Sequence, residues 1–114
     1  MPHDQDPTAP RPGGLHVDVR RDGDAVIVAL AGELDLATVG ELERAMQAAR
    51  DAGAGVVVDL RRLSFMDSTG LRAIVLAHEE LDRAGQKLAI VRGPGPVQRV
   101  FELTGLEQRL TFLD

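Results

Sequence analysis

At 114 residues and a formal net charge of −5, the chain has room for one compact domain with an acidic surface, which leaves out a second folded unit and argues against a phosphate-backbone partner. Hydrophobic residues make up 44% and aromatic ones only 3%, so the core has to be assembled from Leu, Val, Ile and Ala, and without Trp or Tyr there is little to stack on bases. The lack of cysteine excludes a disulfide framework, a thiolate metal site and a cysteine nucleophile.

Residues 1–14 carry Pro2, Pro7, Pro10 and Pro12, then Gly13-Gly14. Such a stretch cannot bury enough surface to offset its ordering entropy, so it is expected to be a disordered leader before a domain spanning 15–114. It has no apolar centre of the signal-peptide kind, and no later stretch reaches the roughly 18 apolar residues of a membrane span. The expectation is a soluble, cytoplasmic protein that is a monomer when free.

From Leu15, apolar Leu15, Val17 and Val19 alternate with His16, Asp18 and Arg20, the period of a half-buried strand. Asp22-Gly23-Asp24 reads as a tight turn into a second strand from Ala25 to Ala31, making a β-hairpin. After Gly32-Glu33-Leu34-Asp35, Thr38 and Glu41 match a capping box, and Val39, Leu42, Met46 and Ala49 recur at helical spacing up to the stop signal Gly53. Val56-Val57-Val58 is a continuous apolar run, expected of a central strand covered on both faces. A second helix is predicted from Ser68 to Ala84, closed by Gly85, and a strand from Lys87 to Val91. Beyond the Gly93-Pro94-Gly95-Pro96 loop, a third helix turns Val97, Val100, Phe101 and Thr104 inward and ends at Gly105. Leu110 to Leu113 adds a short last strand.

The predicted class is α/β. Strands alternating with helices imply a mostly parallel sheet of four to five strands, an antiparallel N-terminal hairpin and three to four helices. In such sheets the loops at the carboxyl ends of the strands gather on one edge, where ligands meet the fold. Two of these loops are Gly32-Glu33-Leu34-Asp35 and Ser64-Phe65-Met66-Asp67-Ser68. If their strands are neighbours, Glu33, Asp35, Asp67, Ser68 and Thr69 form a small acidic, hydroxyl-bearing patch.

Ser68 begins a helix and has two readings that can hold together. It is an ordinary N-cap, or it is a hydroxyl offered to another protein. Asp67 is favoured near a helix start by the macrodipole in either case. Gly70 is either tolerated there or leaves room for a partner's backbone or nucleotide. A phosphate on Ser68 adds about −1.5 to −2 charges beside Asp67, and the helix N-terminus offers amides to receive it.

Three segments, Gly32-Glu33-Leu34-Asp35, Leu63-Ser64-Phe65-Met66-Asp67-Ser68-Thr69-Gly70-Leu71 and Val97-Gln98-Arg99-Val100-Phe101-Glu102-Leu103-Thr104-Gly105-Leu106, resemble the signature segments of bacterial anti-sigma factor antagonists, single-domain members of the STAS family. The resemblance implies a STAS fold and a protein that is not an enzyme and needs no cofactor or metal. It implies an unphosphorylated form that binds an ATP-dependent anti-sigma factor serine kinase and so releases a sigma factor. It implies phosphorylation at Ser68, which switches binding off, and a PP2C-type phosphatase that resets it. The matching partner-binding positions are Glu33, Asp35 and Thr38 after the second strand, and Asp67, Ser68, Thr69, Gly70, Leu71 and Arg72 around the phosphosite. Leu36-Ala37 stands where some sporulation-type members carry a more polar pair, and many relatives differ at Arg72 and His78.

Other readings compete. A STAS module can serve as a non-enzymatic subunit of a stress-signalling scaffold or a lipid transporter complex. A serine hydrolase needs a base near Ser68, but His3 lies in the leader, His16 on an edge strand, and His78 about 15 Å along the helix axis, and no G-x-S-x-G elbow is present. A receiver-like site at Asp59, expected at the end of a central strand, needs an acidic pair nearby and a lysine from a late strand, and Lys87 starts its strand at the wrong edge; Asp59 is expected to pair with Arg61 or Arg62 instead.

Overall fold

Strand β1 (Leu15–Asp22) and strand β2 (Ala25–Leu34) make the expected hairpin in a computed structural model that describes residues 13–113. Residues 1–12 of the expected leader lie outside the described residues. Asp22 pairs with Ala25 across a two-residue turn, and Gly23 takes a φ of 64°, which an L side chain resists. The ladder reaches back past β1, because the Glu33 N–H donates to the Gly14 carbonyl at 2.9 Å.

The chain continues through α1 (Val39–Asp51), β3 (Gly55–Met66), α2 (Ser68–Arg83), β4 (Leu88–Val91), α3 (Gly95–Thr104), a 3₁₀ turn (Leu106–Arg109) and β5 (Thr111–Leu113). Among the described residues the sheet has five strands in the order of the chain, antiparallel between β1 and β2 and parallel from β2 onward. Right-handed crossovers that always step the same way across a sheet place every helix on the same face. Burial follows that geometry. Val26, Val28, Leu30, Val56, Val58, Leu60, Leu88 and Ile90 are buried, whereas Ile27, Val57 and Ala89 between them are half-buried. The expectation that Val56-Val57-Val58 is covered on both faces is therefore corrected. The run is continuous because Val57 sits mid-sheet on the open face, shielded by flanking strands rather than by a second helical layer.

Leu42, Met46 and Ala49 of α1, Leu71, Ile74 and Leu81 of α2, and Val97 and Phe101 of α3 close the core over the sheet. Phe101 is fully buried and meets Phe112 of β5 edge to face at 5.3 Å, and the Arg92 guanidinium lies 4.6 Å from the Phe112 ring centre. Ion pairs tie the helical layer together from outside: Arg50 to Glu80 at 2.5 Å between α1 and α2, and Arg109 to Glu79 at 2.6 Å between the 3₁₀ turn and α2.

Three local expectations change. The segments read as loops, Gly32-Glu33-Leu34 and Ser64-Phe65-Met66, belong to β2 and β3. Thr104 is exposed, not inward. Its hydroxyl donates to the carbonyls of Val100 and Phe101 at 3.0 and 3.1 Å, while Gln98 takes the buried place and accepts from the Gly93 N–H at 3.1 Å. The capping box of Thr38 and Glu41 does not form, because the Thr38 hydroxyl is used elsewhere.

Candidate functional site

Only Asp67 separates β3 from α2. Its backbone is extended, and one carboxylate oxygen accepts the N–H groups of Thr69 at 2.9 Å and Gly70 at 3.2 Å, so Asp67 is the N-cap of α2. Ser68 is therefore not the cap, as one reading had it, but the first helical residue. It is exposed, and its hydroxyl has no hydrogen-bond partner among the described residues. Of the first-turn amides expected to receive a phosphate on Ser68, Asp67 already holds those of Thr69 and Gly70.

The neighbouring edge of the site is the turn after β2. β2 and β3 are adjacent, with Glu33 opposite Phe65 and Leu34 opposite Met66, so the condition for a shared patch is met. Asp35 closes the turn with a carboxylate oxygen that accepts from the N–H groups of Ala37 and Thr38 at 3.0 and 3.2 Å. Thr38 is only 5% exposed; its hydroxyl donates to the Glu33 carbonyl at 2.8 Å and accepts from the Asp35 N–H at 3.0 Å. The turn is thus bolted to the end of β2 from beneath, with Glu33 and Asp35 half-buried above and Leu36, 77% exposed, at its tip.

Gly70 faces inward. A methyl group there would come within 2.7 Å of Leu34 Cγ and 3.0 Å of Met66 Cγ, so its side-chain-free surface meets the ends of β2 and β3 rather than a partner. Leu71 is likewise buried, at 2% exposure, whereas Thr69 is half-buried and Arg72 exposed. Of the nine residues assigned to the site by sequence, Thr38, Gly70 and Leu71 lie under the surface that the other six present.

The STAS domain model matches residues 16–114. The chain belongs to the STAS domain family. An anti-sigma-B factor antagonist of Staphylococcus aureus is 38% identical over 81 residues, covering 70% of this chain and 75% of that one. The crystal structure of an anti-sigma factor antagonist from Mycobacterium paratuberculosis superposes with a TM-score of 0.82 at 26% identity, covering 91% of this chain and 89% of its own. The Bacillus cell fate determinant SpoIIAA in its phosphorylated form matches with a TM-score of 0.66 at 26% identity, over 87% of this chain and 92% of that one.

Within this STAS domain, sequence reasoning missed two features. Phe65, 47% exposed, stands beside Glu33 at the surface. Between the pairs Ala29–Asp59 and Leu34–Met66 the register shifts twice, and such bulges re-aim side chains. The Ser64 hydroxyl secures the irregular stretch by donating to the Gly32 carbonyl at 2.9 Å. The second feature is a groove of about 640 Å³ that starts at Ser68 and Arg72 and runs along α2 past Leu76 to Thr104, Leu106 and Arg109. Its far wall comes from Thr104 of α3 and from Leu106 and Arg109 of the 3₁₀ turn, far from the α2 wall in sequence, so no local pattern announces it. Leu36 did leave a signal, as a large apolar residue in the turn between Asp35 and Thr38.

Among the described residues the catalytic alternatives find no assembly. His16 pairs with Ala31 on the edge strand, His78 lies ten residues along α2 from Ser68, and neither is bonded to its hydroxyl; His3 lies outside the described residues. Asp59 lies within β3, not at its end, and is bonded to Arg61 at 2.7 Å as one of the two expected partners. Lys87 precedes β4 at the opposite end of the strand from the site.

Proposed function

We propose that this STAS protein is an anti-sigma factor antagonist whose unphosphorylated form binds an anti-sigma factor serine kinase, so that a sigma factor is released, and that phosphorylation of Ser68 switches the binding off. The observation that carries the reading is the unengaged hydroxyl of Ser68 on the first turn of α2, with Asp67 doing the capping beside it. A serine engaged as the cap would have to give up its bond to a first-turn amide before its hydroxyl could reach a kinase. Here the cap is a separate residue and the hydroxyl is left over. Ser68 is acted upon and catalyses nothing itself; ATP belongs to the kinase, and a PP2C-type phosphatase resets the switch in the cytoplasm.

Partner contact falls on Glu33, Asp35, Asp67, Ser68, Thr69 and Arg72, while Thr38, Gly70 and Leu71 hold those groups in place. Leu36 and Phe65 add apolar area to the same edge. A partner packed dry against this surface would have to bury a phosphate dianion next to Asp67, a penalty of several kcal/mol. Since about 1.4 kcal/mol is tenfold in affinity, one phosphate suffices to dissociate the pair.

The test is titration calorimetry of the purified chain against the serine-kinase anti-sigma factors of its own source. The chain and Ser68→Ala are expected to bind one of them, and Ser68→Asp to bind at least tenfold more weakly. Equal binding by all three, or co-purification with a large scaffold or with transporter subunits in place of a small kinase, would overturn the reading in favour of a structural STAS subunit.

A further inference from the structure

Once Asp67 occupies the Thr69 and Gly70 amides, a phosphate on Ser68 meets only part of the usual anion site of a helix N-terminus and needs positive charge from elsewhere. Two cations line the groove that opens at Ser68, Arg72 and Arg109. Arg109 is already engaged, 2.6 Å from Glu79. Arg72 is exposed and takes part in no ion pair or hydrogen bond among the described residues. It stands four residues after Ser68 on α2, the spacing that puts two side chains about 6 Å apart on one helix face. Long helical side chains lean toward the N-terminus, so the side chain of Arg72 can reach back toward the phosphosite.

We infer that Arg72 is the receiver of the Ser68 phosphate: in the phosphorylated protein its guanidinium binds the phosphate across the mouth of the groove between α2 and α3. This rests on the reading of Ser68 as the modified residue and adds to it a second effect of the modification. The phosphate brings charge beside Asp67, and through Arg72 it also bridges the entrance to the apolar strip of Leu76 and Leu106, which a partner would otherwise reach. The planar fork of arginine accepts two phosphate oxygens at once, so lysine is a weaker substitute.

The experiment installs phosphoserine at position 68 during translation by suppression of an amber codon, so no kinase is needed, and follows the arginine Nε–H resonances by NMR. With phosphoserine, the Arg72 signal is expected to move downfield and its hydrogen exchange to slow several-fold, while Arg109 and the distant Arg83 hold their positions. Arg72→Lys and Arg72→Gln identify the signal by its loss. In the phosphorylated Arg72→Gln protein no other arginine should take up the shift. An Arg72 signal unmoved by phosphoserine, or a shift of equal size at Arg109, would overturn the inference. Because the phosphate is encoded, that failure would leave the kinase switch standing, and a chain that no kinase modifies would leave this measurement readable.

Discussion

A methyl group at Gly70 would overlap Leu34 and Met66, whose own positions are set by the parallel ends of β2 and β3. Gly70→Ala is therefore an overpacking change at the point where α2 meets the sheet, expected to cost about 1–3 kcal/mol by urea denaturation. Retention of full stability would show that α2 can slide outward without consequence. Ser68 and Asp67 teach a related lesson about legibility. Sequence singles out both, since Ser and Asp are equally good caps, but which one takes the role depends on where β3 ends. Because β3 runs to Met66, Asp67 is left with the extended backbone of a cap and Ser68 is carried into the helix. The assignment of Gly70 to a partner surface failed for the same reason: the direction a glycine faces is a tertiary fact.

The turn between β2 and α1 holds its shape through one buried hydroxyl. Thr38→Val keeps the volume but leaves the Glu33 carbonyl and Asp35 N–H without their partner, which is expected to cost about 1–3 kcal/mol and to speed hydrogen exchange at the Asp35 N–H. Unchanged stability and exchange would mean the turn is held by Asp35 alone. At this scale the elements themselves were largely readable, because the strand and helix periods are strong from Leu15 to Val91 and Gly53, Gly85 and Gly105 do follow helices. The capping box was not, since Thr38 and Glu41 fit a local pattern that a bond to the preceding strand outcompetes. The two bulges in β3 also escaped notice, because an extra residue in one strand shows only against its partner.

Among the described residues the molecule is a sheet with one face covered by helices and one face without them. On the open face, the Arg61 guanidinium and N–H bond the Asp59 carboxylate and hold its pKa below the ordinary value, helped by the charges of Arg61 and Arg20 and opposed by partial burial. A carboxyl lowered in the folded state contributes stability that is present above its unfolded value, about 4, and lost as pH falls through the folded one. The stability gap between the chain and Asp59→Asn should thus be constant near neutral pH and close below about pH 4; a gap that persists in acid would show that the ionised carboxylate is not its source. This face lies away from the helical layer in which α2 carries Ser68, and that separation is what topology adds to a sequence that named the site but placed helices on both sides of Val57. The groove beside Ser68 is likewise a product of topology, built where α3 returns alongside α2.

The central claim is that Ser68 is the hydroxyl a kinase modifies. Incubation with the serine-kinase anti-sigma factors of its source and ATP, followed by intact mass and peptide sequencing, tests it most directly. One added phosphate on Ser68, absent in Ser68→Ala, is the predicted result; no phosphate from any of them, or a phosphate placed on Thr69 instead, would contradict it.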